Sequence, residues 1–356
     1  LCFDLKKEKE MKRVILVLAA LALMAGSGYA AEWNFYGSAR LGTFWSDTDT
    51  ISGADNDVQY SEYLQVNSRI GARVKVSDEL IGRFEYGTSG GNANIRLLYG
   101  EWDFGTGKLL VGQNYTPLCW LWSNQVFGHD GDLLPHGAVY SHREAQLRLT
   151  FGGFKIAFIN PDDTVNNNKA AFGGTTKTTI PAIEVGYTLD LDMVSLDFGA
   201  GYSTFEATVG GDEEDIDSYI LALGAQFDMA GFFMKGNVYY GQNAGNLIWI
   251  SVDGDNAIDD GFAAFSGGEW RDNECIGFML VAGYKINDTF TVEAGYGYNQ
   301  TELDDLDDDE SATYYINTTI NLASGVFVVP EIGFFDGNED GDNEVLYYGM
   351  KWQINF

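Results

Sequence analysis

The 356-residue sequence predicts an all-β fold, an up-and-down antiparallel barrel of about 16 strands crossing a membrane. Three observations predict it. Apolar residues alternate with polar ones at period 2 along most of the chain, as in Leu346, Tyr348, Met350, Trp352, Ile354 and Phe356. Short Gly/Asn/Asp turns alternate with long, acidic connections, which separates a short-turn rim from a long-loop rim. Most strand charges, among them Arg40, Arg69, Arg73, Lys75, Arg83, Arg148, Glu293, Glu331 and Lys351, fall on the polar row. An Arg or Lys on the lipid row would cost ~2–4 kcal/mol at mid-membrane.

The closing run, Leu346 to Phe356, has the length a tilted membrane strand needs, roughly 9–11 residues. As an open sheet edge it would be sticky, so its natural partner is the first strand. Mean hydropathy is −0.14, which reads as soluble only because half of each strand faces water.

Taken in order, residues 1–10 precede a better start at Met11 and read as a start-site artefact. Residues 11–30 read as a signal peptide: Lys12 and Arg13, an apolar run from Val14 to Ala25, then Gly28-Tyr29-Ala30 before a cut at Ala31. Without residues 1–30 the chain carries 16 bases and 49 acids, net −33. That excludes nucleic acid as a partner. Cys119 and Cys275 remain, and the sequence leaves open a disulfide or two free thiols.

Residues 31–356 form the barrel domain. The expected strands are Trp33–Thr43, Leu64–Val76, Leu80–Thr88, Ile95–Phe104 and Lys108–Asn114, then Arg143–Phe151, Phe154–Ile159, Pro181–Leu189, Val194–Phe205 and Ser218–Asp228. Phe232–Gln242, Cys275–Ile286, Phe290–Asn299, Tyr314–Leu322, Val326–Phe335 and Val345–Phe356 complete them. Leu64–Val76 has the cleanest alternation. Val326–Phe335 has the poorest, because Pro330 lacks a ladder donor and predicts a bulge or break.

Arg96 to Pro117 reads Arg-Leu-Leu-Tyr-Gly-Glu-Trp-Asp-Phe-Gly-Thr-Gly-Lys-Leu-Leu-Val-Gly-Gln-Asn-Tyr-Thr-Pro. This resembles the strand-turn-strand segment before the third loop of Gram-negative general porins. The Arg143 strand, Gly152-Gly153-Phe154 and the terminal Phe fit the same family. The resemblance implies a 16-stranded, usually trimeric, passive diffusion channel in the outer membrane. Two departures stand out. The connection Ser89–Asn94, where the family has a subunit latch, is short, and the third loop lacks a strong acidic cluster.

A barrel of this size leaves an aqueous channel, so function sits at its narrowest point. Tyr115–His142 holds Leu118, Trp120, Leu121, Trp122, Phe127, Leu133 and Leu134, too apolar for a loop in water; it is expected to fold into the lumen. Its tip would present Asp130 and Asp132. Opposite, an upper tier of Arg40, Arg69 and Arg96 and a lower tier of Arg73, Arg83 and Arg148 would form a basic wall. The expected function is passive passage of small hydrophilic solutes and ions, with no enzymatic role. Two alternatives stand: a sugar- or anion-selective channel with Trp120 and Trp122 as an aromatic track, and a non-conducting surface or adhesion barrel. The acid at the mouth favours mild cation preference and the arginines oppose it.

No cofactor is expected beyond divalent cations held loosely at the acidic outer loops, where lipopolysaccharide is the expected neighbour. Asp336, Asn338 and Asp340 match the start of a calcium loop, but Tyr347 stands where a bidentate Glu is needed. His129, His136 and His142 lie together in the third loop without a known ligand spacing. Ser141 beside His142 lacks a nucleophile motif.

Overall fold

The structure, a computed structural model, describes residues 31–49, 57–165, 173–252, 260–337 and 344–356. The leader, Asn338 and Asp340 lie outside the described residues, as do parts of the acidic stretches 253–260 and 336–344. Sixteen antiparallel strands close into one barrel. They are β1 Glu32–Asp49, β2 in two pieces (Gln59–Leu64 and Arg69–Lys75), β3 Leu80–Gly87, β4 Asn94–Asp103, β5 Lys108–Tyr115, β6 Arg143–Phe151 and β7 Phe154–Ile159. Then come β8, also in two pieces (Thr175–Lys177 and Ala182–Leu191), β9 Val194–Val209, β10 Asp212–Met229, β11 Phe232–Gln242 and β12 Asn273–Lys285. The last four are β13 Phe290–Leu303, β14 Asp308–Ala323, β15 Val326–Asp336 and β16 Glu344–Asn355. All sixteen expected strands are present. Closure is by β16 on β1, from Ser38↔Asn355 to Asp49↔Glu344. Phe356 continues that ladder: its N–H donates to the Gly37 carbonyl and its carbonyl accepts from the Gly37 N–H. Its ring lies where a Cβ on residue 37 would be, which is why glycine stands there.

Alternate residues of the outer surface are exposed and apolar, among them Phe35, Ile70, Leu98, Leu147, Leu221, Leu223, Leu280, Ile316 and Trp352. That is the lipid row the alternation predicts.

Four features depart from the expected regularity. The run with the cleanest alternation is broken at residues 65–68, where four residues of β2 face two of β1. Gln65 and Ser68 turn inward onto the Arg40 backbone instead of continuing the strand: the Gln65 N–H donates to the Arg40 carbonyl at 2.9 Å, and Ser68 Oγ accepts from the Arg40 N–H at 3.0 Å. An insertion of two preserves parity, so Leu64 and Ile70 still face outward. In β4, Arg96 is an extra residue between Ile95 and Leu97. The bulge turns both Arg96 and Leu97 away from lipid. Strand β15 runs through Pro330 and stays paired to β16 there, its ladder to β14 lapses between Asn317↔Glu331 and Ile320↔Val328, and a register shift lies at Asn321/Ala323 of β14. Lastly, Asp212–Asp217 is not a loop. It pairs with β9 down to a Gly210-Gly211 turn, because Phe205, Ala207 and Ile216 share an apolar face with Val165 and Ala263.

The main apolar cluster lies inside the barrel. It joins Leu118, Trp120, Trp122, Leu133, Leu134 and Val139 of the β5–β6 connection to Ile220 and Ala222 of β10, Tyr239 of β11, Met279 and Val281 of β12 and Tyr315 of β14.

Candidate functional site

The β5–β6 connection, residues 116–142, makes its contacts with mid-strand, inward-facing residues of the far wall. Near its root, Glu184 of β8 accepts the Leu118 N–H at 3.0 Å and the Ser141 hydroxyl. Trp120 and Trp122 stack at 5.1 Å and press on the wall at Gly224, where a Cβ would meet the Trp122 ring at 2.2 Å. Both tryptophans are only 7% exposed. They anchor the segment to β9 and β10, and both also line a cavity of about 200 Å³ with Lys155, Asp197 and Phe198.

Past the tryptophans the backbone is held by carboxylates. Glu293 of β13 accepts the Asn124 N–H at 2.8 Å; Glu331 of β15 accepts the Val126 and Phe127 N–H groups at 2.8 and 2.9 Å. Charged acceptors on backbone donors are among the stronger hydrogen bonds. On the return arm, Asn299 Oδ1 accepts the Gly137 N–H at 2.7 Å, and Asn237 donates to the Gly137 carbonyl at 2.7 Å.

The tip, residues 127–133, is a left-handed turn. His129, Asp130, Asp132 and Leu133 have φ of 69°, 62°, 52° and 58°. Such backbone costs roughly 1–2 kcal/mol per non-glycine residue, so it needs ties. Asp130 supplies two, one to the Arg40 guanidinium of β1 and one to Lys351 Nζ of β16 at 2.8 Å. Asn67, in the β2 break, supplies another by donating to the His129 carbonyl at 2.7 Å.

Arg40, Arg69 and Arg96 line one cavity on the long-loop side of the tip, of about 530 Å³, together with Arg143, Asn67, Tyr115 and the tip itself. Glu85 of β3 gathers Arg69, Arg83 and Arg96, with Arg96 Nε donating at 2.8 Å. Arg83 Nε also donates to the Tyr36 hydroxyl at 2.9 Å, and Arg73 lies 6.0 Å from the same ring. Arg148 stands apart, donating to the Tyr115 carbonyl and facing Glu101 at 3.9 Å. A second cavity, of about 370 Å³, lies on the short-turn side, lined by Lys351, Phe327 and Val329. Arg40, Leu121, Asp130 and Asp132 line both. Those four side chains lie between the two cavities. Arg40 therefore lies beside Asp130 in contact, not across the channel from it as the sequence reading has it.

Burial and the nearby Asp130 push the Asp132 carboxyl well above the usual carboxylate range. Burial pushes the His136 imidazole down to about 4 and lowers His129 and His142. Among the described residues no three His, Cys, Asp or Glu side chains come together as a metal site. Cys119 and Cys275 are both free thiols, and burial pushes Cys119 up to about 12. Asp336 closes the end of β15 opposite Glu344.

Sequence reasoning missed Glu85, Asn67, Arg143 and the role of Lys351. Arg143 looks like a strand-end exception in the sequence. Asn67 falls on the polar row of a run that reads as regular, with nothing to announce the break.

The sequence profile of the family described as Gram-negative porin matches residues 17–340. No curated protein matches. Among solved structures, the outer membrane channel DcaP of Acinetobacter baumannii is similar with a TM-score of 0.73 at 16% identity, over 92% of this chain and 98% of that one. OmpT of Vibrio cholerae, in its trimer form, gives 0.58 at 17% identity, over 92% and 100%. The anion-selective porin from Comamonas acidovorans gives 0.58 at 13%, over 91% and 100%.

Proposed function

Because this chain belongs to the Gram-negative porin family, and so forms an outer-membrane channel for passive diffusion of small solutes, we propose that the linings of the two cavities at the loop tip, with Arg40, Leu121, Asp130 and Asp132 common to both, form its filter and that the filter favours small hydrophilic anions. One observation carries the reading. The two cavities that meet at the tip are lined by five cations, Arg40, Arg69, Arg96, Arg143 and Lys351, against two carboxylates, Asp130 and Asp132. Glu293 and Glu331 are engaged by the loop backbone.

Selectivity is set where the cross-section is smallest, because charges there act at the shortest range through the least water. The acidic outer rim acts from farther away and is screened over about 8 Å at physiological salt. The wall therefore outweighs the rim, the reverse of the mild cation preference that total charge suggests. The Comamonas acidovorans porin supports the reading in that the same architecture accommodates that sign. In planar bilayers under a salt gradient, the zero-current potential is expected on the anion side. A potential on the cation side overturns the assignment. The channel is proposed to work as a homotrimer in contact with lipid and lipopolysaccharide, which cross-linking in outer-membrane vesicles tests.

A further inference from the structure

The cavity on the long-loop side has two unlike walls. One is basic: Arg96 and Arg143 both donate to the Tyr115 hydroxyl, at 3.4 and 3.2 Å, so one oxygen sits between two guanidinium groups. Arg96 is also paired with Glu85, but no carboxylate pairs with Arg143 among the described residues. The two guanidinium groups are close enough for a single incoming carboxylate to bridge.

The other wall is apolar, and part of it is uncovered. Trp249 is 44% exposed and Leu121 43%, although both line a channel filled with water. Trp249 is not there by chance of a loose loop. Its backbone N–H donates to the Tyr140 carbonyl at 2.8 Å, and its ring lies 5.6 Å from the His142 ring. The β11–β12 connection thus brings an indole into the cavity that Arg143 also lines. A filter acting on charge alone has no use for exposed apolar side chains, which raise the cost of wetting the passage.

We infer that this cavity is a binding site for small aromatic monocarboxylates: the carboxylate bridges Arg96 and Arg143 at the Tyr115 hydroxyl while the ring lies against Trp249 and Leu121. The inference rests on the anion-channel reading above and names the solute class. A carboxylate on two guanidinium groups has the strong charge-assisted geometry. A flat ring on an indole adds contact that a small inorganic anion cannot make.

The test uses the full-length protein in planar bilayers in potassium chloride, with sodium benzoate, sodium acetate and benzamide as probes. Benzoate is expected to block the current saturably, with half-block at about tenfold lower concentration than acetate. Benzamide, which has the ring without the charge, is expected not to block. Trp249→Ala should weaken benzoate block about tenfold and so bring the half-block concentrations of benzoate and acetate together. Arg143→Gln should weaken both anions. Equal action of benzoate and acetate on the unaltered protein overturns the inference without needing any variant to fold, and so does a benzoate block indifferent to Trp249→Ala. Either result leaves the anion reading standing, whereas a cation-side potential removes that reading itself.

Discussion

In the proposed filter, Asp130 is the side chain that joins two cations to the loop tip. It touches Arg40 and Lys351 at once and fixes a tip whose backbone is left-handed. Asp130→Asn keeps the shape but leaves two cations without their counter-charge. The zero-current potential is expected to move further to the anion side. Unfolding in detergent should occur at lower temperature, since breaking a buried pair costs ~3–5 kcal/mol and this one, partly wetted, belongs at the lower end. An unmoved potential would remove Asp130 from the neck. At this scale the sequence is legible for Arg40, Arg69 and Arg96, because a strand arginine must avoid lipid and so must face the lumen. It is illegible for Trp120 and Trp122. An aromatic in a lumen loop serves equally as solute track or wall anchor, and only the absence of a side chain at Gly224 shows the anchoring.

Among the elements, the break in β2 ties the wall to the tip of the proposed filter. Its extra residues, Val66 and Asn67, offer the tip a carbonyl-binding amide and give Arg96 the Asn67 side chain as a further acceptor. Deleting Val66 and Asn67 together removes an even number of residues, so the strand keeps its lipid row and the barrel is expected to assemble. The tip loses one of its three ties, and single-channel records are expected to show larger and noisier steps. Quiet steps of unchanged size would show that the tip is held without β2. The alternation of Leu64–Val76 hid this break, because an insertion of two leaves the outer pattern intact on both sides. The apolar inner row of β10, Ile220 and Ala222, was equally hard to read. It is apolar because the third loop and the β11–β12 connection dock on it, and nothing local records that docking.

For the molecule as a whole, the closed sheet assigns every strand residue to lipid or lumen. Leu221→Arg places a charge on the lipid row of β10, where Leu221 is exposed beside inward-facing Ile220 and Ala222. The variant is expected to lose ~2–4 kcal/mol of stability in lipid, read by denaturant unfolding in vesicles. A loss below about 0.5 kcal/mol would mean that this face of β10 does not meet the membrane core. The large negative charge of the chain belongs to this scale as well. It describes the rim and the surface and says little about the two cavities at the loop tip, whose linings together hold five cations and two carboxylates.

The sequence by itself determined the strand count, the turns, the lipid and lumen rows and the closure of the last strand on the first. Each follows from the period-2 geometry of neighbouring residues and the cost of charge in lipid, which are local. The tertiary structure alone decided where the third loop rests, that Arg40 and Lys351 share Asp130, and that Trp249 and Arg143 line one cavity. Those pairings join residues up to 221 positions apart. They depend on which strands the barrel's circumference sets face to face, and no repeat in the chain encodes that.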